Sequence, residues 1–166
     1  MQIKLKQLGE FGKNLQNKAS LDEALPYISS SASSLLDADR CSIFIHDIKE
    51  HQLWTTLADN ADRITLPADM GLVGQTVKLQ KPILENDPYD NINFFQNIDT
   101  QTGYYTQNIL TSPIFNSQRE VVGVIQLLNK KGGFNKNDIK FVSFFAHYIS
   151  SYIELRNLIK ESNGTY

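Results

Sequence analysis

Three β-forming runs follow one another between residues 40 and 66 with only short polar turns between them, which limits the fold more than any other feature. They are Arg40-Cys-Ser-Ile-Phe-Ile-His46, Leu53-Trp-Thr-Thr-Leu57 and Arg63-Ile-Thr-Leu66. Strands joined this closely must run antiparallel, because a parallel pair needs a crossover on the order of a dozen residues. Pro82-Ile-Leu84 is a brief fourth run. Leu110–Phe115 and Glu120–Leu128 then form a hairpin around Asn116-Ser-Gln-Arg119.

Helical patterning is confined to the ends and to one short middle segment. Ile3, Leu8, Phe11 and Leu15 make a sparse stripe over residues 3–17, weakened by Gly9 and Gly12, so this helix needs a partner surface. Ser20-Leu-Asp-Glu23 has the form of a capping box, and Leu21, Leu25, Ile28, Ala32 and Leu35 follow at helical spacing. Pro26 falls near the first turn of that helix, where its missing N–H costs less. Pro67-Ala-Asp-Met-Gly-Leu-Val-Gly74 leads into a short helix to about Leu79, and a last helix runs from about Asn137 to Lys160. The order predicts an α+β domain: an antiparallel six-stranded sheet flanked by N- and C-terminal helices. Residues 1–18 are expected to form an N-terminal linker helix, 19–160 the domain with its long final helix, and 161–166 a tail. At roughly 36 Å, that final helix is longer than the domain needs for its own packing.

Between the fourth run and the hairpin lies a polar, aromatic connection of about two dozen residues, a length that is usually functional in a small domain. It contains Asp87-Pro-Tyr-Asp90, Phe94, Phe95, Asp99, Thr102, Gly103, Tyr104, Tyr105 and Thr106. Thr and Asp offer hydrogen bonds and the aromatic rings offer stacking faces, which suits a polar aromatic ligand under a lid. Thr102 and Thr106 are one helical turn apart, so a locally helical lid would turn both hydroxyls one way. They could equally pin a loop, as threonines often do.

Composition narrows the classes. The chain has 166 residues, enough for one domain with a real core. Its net charge of −2 provides no basic footprint for a nucleic-acid polymer. No apolar stretch reaches membrane-spanning length, and the single cysteine, Cys41, excludes an internal disulfide and points to a cytoplasmic setting. His46, His51 and His147 show no metal-ligand spacing, so no metal is expected. No Ser–His–Asp arrangement can be argued, and Asp87 with Asp90 is more simply a capped turn.

Several of these pieces together resemble a GAF domain of the type found in cyclic-nucleotide phosphodiesterases and some adenylyl cyclases. The likeness runs from about Asp39 to Leu155 through Arg40-Cys-Ser-Ile-Phe44, the Pro67–Gly74 segment, the Asp99–Leu110 segment and Val122-Gly-Val-Ile-Gln-Leu-Leu-Asn-Lys130. The Thr-Gly-aromatic-x-Thr signature within the connection is its specific part. The family's Asn-Lys…Phe-x-x-x-Asp-Glu motif is matched by Asn129, Lys130, Phe134 and Asp138, with Ile139 in place of the terminal Glu. In the family this motif lies away from the ligand, and its Lys and Asp pair to hold the last strand to the final helix.

The resemblance implies a regulatory module that binds cAMP or cGMP, makes no bond and breaks none, and needs no cofactor beyond that ligand. It places the cyclic phosphate on the amides of Leu72 and Val73, the sugar near Thr102 and Thr106, and the base beside Asp99 and Phe95. Ser42 is implied against the purine edge, and Leu57 and Ala58 among the base contacts. From the residues alone, Gly71–Gly74 could be a plain turn with Asp69 as helix cap, and Ser42 could bond a neighbouring carbonyl. Gln126 is the only amide in a run otherwise fit for burial and needs a partner, whether ligand or water. Cys41 lacks the Cys-His dipeptide of bilin-binding relatives, and methionine-sulfoxide-reducing GAF enzymes need several cysteines. A homodimer through the terminal helices is expected, relaying lid closure to an effector domain. The alternative is a GAF domain that binds nothing and serves only dimerisation and relay.

Overall fold

The computed structural model describes residues 2–56, 63–96 and 103–163. Its elements are α1 (Gln2–Leu15), α2 (Leu21–Leu36), β1 (Ala38–Asp47), β2 (Gln52–Thr56), β3 (Arg63–Pro67) and α3 (Gly71–Leu79). After these come β4 (Ile83–Glu85), a 3-10 turn at Pro88–Asp90, β5 (Ile109–Phe115), β6 (Val121–Lys130) and α4 (Lys136–Asn163). The six strands form one antiparallel sheet in the order β3-β2-β1-β6-β5-β4, so the fold is α+β as expected. The strand last in sequence lies in the middle, bonded to β1 on one side and β5 on the other.

Both faces of that centre are covered, which explains why β6 reads as a nearly continuous apolar run rather than an alternating one. On one face Ile43, Ile125 and Leu127 pack with Leu25 and Ile28 of α2 and Phe145 and Ile149 of α4. On the other, Phe44, Leu53 and Val124 pack with Ala68 and with Val73 of α3. The sheet therefore separates a thick helix layer from the side where α3 and the β4–β5 connection lie.

Local chemistry sets the helix ends. At the start of α2, Ser20 Oγ accepts from the Glu23 amide at 3.3 Å. The Glu23 carboxylate reaches back to the Ala19 amide at 3.2 Å, one residue earlier than the usual capping box. Asp37, at φ 54°, ends the helix in the left-handed conformation, and β1 begins at the very next residue. Asparagine and aspartate tolerate that conformation better than most side chains.

The weak helix α1 finds its partner surface on the α2–α4 layer. Leu8, Phe11 and Leu15 are buried, with Phe11 stacked on Tyr27 at 5.4 Å and tilted against Phe145 at 5.0 Å. Gly12 is what permits this approach, because a Cβ there would lie 1.7 Å from the Tyr148 hydroxyl. α4 has 28 residues and is somewhat longer than the sequence predicts, about 42 Å at helical rise. Phe144, Tyr148, Leu155 and Leu158 on it remain between 42% and 59% exposed. Among the described residues no helix is long and apolar enough to cross a membrane.

The helix layer does not reach over β2 and β3 completely. An open groove of about 830 Å³ remains there, lined by Leu21, Asp22, Ile45, Trp54, Arg63 and Arg156 among others. Arg63 lies over the Trp54 ring at 3.9 Å and pairs with Asp22 at 3.2 Å. Both ion-pair partners are about half exposed, so the pair adds little stability.

Phe145 joins α1, α4 and the sheet with no exposed surface. Phe145→Ala is expected to cost about 3–5 kcal/mol, read as a shift in the urea midpoint. A loss below 1 kcal/mol would show that this contact is not central to the core.

Candidate functional site

The turn before α3 is pinned by two backbone bonds, from Ala68 to the His51 carbonyl at 3.0 Å and from Met70 to the Pro67 carbonyl at 3.1 Å. Met70 occupies the cap position in an extended conformation, and no side chain caps the helix. Asp69, the alternative cap in the sequence, stays exposed and does not fill that role. The first helical bond runs from Gly74 to the Met70 carbonyl at 3.0 Å. The amides of Gly71, Leu72 and Val73 consequently donate to no described residue, at the positive end of the helix dipole.

The two glycines have separate reasons. Gly71 sits at φ +65°, the left-handed region that favours glycine. Gly74 lies against the Asp69 backbone, where a Cβ would be 2.3 Å from the carbonyl carbon. Phe95 comes close from the connection, its Cβ 3.6 Å from where a Gly71 Cβ would stand. Leu72, Val73 and Phe95 are thus brought together at one end of α3.

A polar row crosses the sheet on the same side. Strand register places Ser42 opposite Gln126 and Gln126 opposite Thr111. Directly opposed residues share a face. That face is the one covered by α3, because the Thr111 hydroxyl lies 2.6 Å from the Thr76 hydroxyl. The Thr76 hydroxyl also reaches the Leu72 carbonyl at 2.8 Å and the Thr111 hydroxyl the Ile83 carbonyl at 3.5 Å, so either threonine can donate to the other. Both threonines are fully buried and satisfied. Ser42 and Gln126 are only partly buried, and neither side chain hydrogen-bonds a described residue.

The other proposed contacts divide. Leu57, Ala58, Asp99 and Thr102 lie outside the described residues. Thr106 is described and 1% exposed, so it faces inward. Residues 103–108 contain no helix, so the expected local helix does not extend through Thr106. Its neighbours explain why: the Asn129 side chain accepts from the Gln107 and Asn108 amides at 2.7 and 3.3 Å and donates to the Tyr105 carbonyl at 2.8 Å. These bonds tie the backbone to Asn129 in a non-helical path. Asp87 precedes the 3-10 turn and Asp90 ends it, the turn being closed by an Asp90 amide bond to the Asp87 carbonyl at 3.1 Å. Tyr104 adds a further anchor, its hydroxyl donating to Asp39 at 2.7 Å while Arg40 lies over its ring at 3.8 Å.

Asn129, Lys130, Phe134 and Asp138 form a cluster at the base of α4. The Lys130 ammonium meets the Asp138 carboxylate at 2.5 Å, with both side chains largely buried. The other Asp138 oxygen accepts from the Asn135 amide at 2.9 Å, and Asn135 in turn accepts from the amides of Asn137 and Asp138. This reciprocal cap starts α4.

Reactive groups do not converge here. Cys41 packs on the helix side of the sheet, and burial pushes its thiol well above the ordinary range, offset in part by a hydrogen bond with Ser29. It stays protonated at neutral pH and is a poor nucleophile. His46 bonds the Val121 carbonyl through Nδ1 at 2.7 Å. Among the described residues no group of His, Cys, Asp and Glu could hold a metal ion. Sequence reasoning missed Thr76 and Thr111, although Thr111 and Ser112 are the polar residues of a mostly apolar strand.

The chain belongs to the GAF domain family, whose model matches residues 20–153. It is 27% identical over 95% of its length to the dual 3',5'-cyclic-AMP and -GMP phosphodiesterase 11A of Takifugu rubripes. It is likewise 27% identical over 85% of its length to a cGMP-specific 3',5'-cyclic phosphodiesterase of Drosophila pseudoobscura pseudoobscura. The chain spans only 19% and 14% of those proteins. Among solved structures, the GAF domain from a phosphoenolpyruvate-protein phosphotransferase of Coxiella burnetii superposes with a TM-score of 0.80, at 18% identity, covering 95% of this chain and 96% of that one. A free methionine-R-sulfoxide reductase from Neisseria meningitidis, solved with its substrate, has a TM-score of 0.76 at 11% identity, covering 94% and 91%. These structures share the fold.

Removing the Asp138 carboxylate strips Lys130 of its partner and α4 of its cap. Asp138→Ala is expected to cost roughly 2–4 kcal/mol in urea denaturation. A cost near zero would mean that the Lys130 ammonium is solvated without it.

Proposed function

We propose that this chain is a regulatory small-molecule sensor domain that binds a cyclic purine nucleotide, cAMP or cGMP, and relays occupancy through its terminal helices to an effector domain. The observation that carries this reading is a set of unused donors and acceptors on one side of the sheet. Among the described residues, three amides at the start of α3 have no acceptor, and the Ser42 and Gln126 side chains, on the face that α3 covers, have no hydrogen-bond partner. Backbone amides at a helix start suit a singly charged phosphodiester. The serine and glutamine suit a purine edge, since an amide can both donate and accept. Phe95 stands beside the phosphate end as an aromatic wall. Thr106, and with it Asp99 and Thr102, would complete the contacts to the sugar and base. The names of the two phosphodiesterase relatives agree with this ligand class.

No chemistry on the ligand is proposed. A single cysteine whose thiol is held protonated cannot run a thiol–disulfide cycle within the chain. The domain acts by differential binding to two conformations, the only way a ligand can shift an equilibrium.

Calorimetric titration with cAMP and cGMP tests the reading. One of them is expected to bind, and Thr106→Ala to weaken it about tenfold through one lost polar contact. Gln126→Ala should change the ratio of the two affinities. A flat trace with both nucleotides would leave the ligand-free relay module as the better description.

The output is proposed to be a homodimer seam on α4. Phe144, Tyr148, Leu155 and Leu158 recur at steps of four, seven and three, with Ser151 filling the remaining position of a heptad stripe. Four exposed large side chains on one line are more than a solvated helix face carries by chance. In sedimentation velocity the chain is expected to behave as a dimer, and Leu155→Glu as a monomer. A wild-type monomer at high micromolar concentration would remove the seam.

A further inference from the structure

Two asparagines that no motif assigns stand at the two ends of the β4–β5 connection, and both grip the same short turn. Asn86 directly follows β4. Its Nδ2 donates to the Phe134 carbonyl at 3.3 Å, and its Oδ1 accepts from the Phe134 amide at 3.1 Å. Asn108 directly precedes β5. Its Nδ2 donates to the Lys130 carbonyl at 3.0 Å, and its Oδ1 accepts from the Lys130 amide at 2.8 Å. Each primary amide acts as a short piece of extra strand, meeting the donor and the acceptor of one residue together.

Their landing points are the two ends of the turn from Lys130 to Phe134, which opens into α4 two residues later. The turn is shaped for the contact. Gly133 is at φ +81°, and a Cβ there would lie 2.9 Å from Asn86 Oδ1. Any larger residue would push the asparagine away.

We propose that Asn86 and Asn108 are positioning residues that couple the β4–β5 connection to the base of α4, so that ordering one orders the other. Four hydrogen bonds join the two segments, in addition to the Asn129 bonds to residues 105–108. A ligand resting on Phe95 and Thr106 would bear on the connection as well as on α3 and the sheet. The asparagine clasps carry that constraint to the Asn135–Asp138 cap, where α4 begins. The inference rests on the sensor reading for its trigger but not for the coupling itself.

Hydrogen exchange on the whole chain, followed by mass spectrometry, separates the two. Without nucleotide, Asn86→Ala is expected to raise exchange about tenfold both in residues 88–96 and at the start of α4, around 137–141, while 145–153 is unchanged. Asn86→Asp, which keeps the acceptor and loses the donor, should show a smaller rise in the same two regions. A rise confined to 88–96 in both variants would overturn the coupling. With saturating cAMP or cGMP, the wild type should gain protection in both regions and Asn86→Ala only in the first. Equal protection of α4 in wild type and variant would also overturn it. If neither nucleotide protects residues 88–96 of the wild type, the sensor reading fails, and the nucleotide-free arm still decides the coupling.

Discussion

The placement of β6 between β1 and β5 is the constraint from which the rest of the structure follows. The strand that closes the sheet lies about 80 residues after β1 in the chain, so the centre of the sheet cannot form until both have been made. Once in place, β6 must be apolar on both faces, and each face then needs a cover. α2 and α4 cover one side and α3 the other. The exception is Gln126, a half-buried amide in the central strand, opposite Ser42 on one side and Thr111 on the other.

The strands were legible because hydrophobic runs and short turns are local signals. The α2 start was legible for the same reason, from Ser20 and Glu23 three residues apart. Fidelity falls wherever partners are distant in sequence. Nothing near Asn86 says that its amide will meet Phe134, 48 residues on, and nothing near Gly12 predicts the Tyr148 hydroxyl above it. Helical spacing of Thr102 and Thr106 suggested a turn, but the stretch after Gly103 is not helical and is bonded instead to Asn129, more than 20 residues later. Propensity lost to tertiary hydrogen bonds there. Ser42 and Gln126 were singled out from strand alternation, yet their shared row became visible only through register, which alternation alone does not fix.

The resemblance and the geometry support different parts of the account. Family membership and superposition establish the architecture, and at 11–18% identity the solved relatives carry no more than that. One of them is named for an enzyme, which shows that this scaffold does not dictate a chemistry. The proposed reading of this chain as a sensor rests instead on groups of the α3 side that have no partner among the described residues.

The junction between α2 and β1 has a mechanical meaning. A single residue, Asp37, separates the last turn of the helix from the first residue of the strand. There is no slack at that joint, so α2 cannot roll or slide without dragging the strand that bears Asp39, Arg40 and Ser42. Arg40 and Asp39 in turn hold Tyr104. A displacement of α2 is therefore passed on both to the strand that carries Ser42 and to the Tyr104 end of the β4–β5 connection.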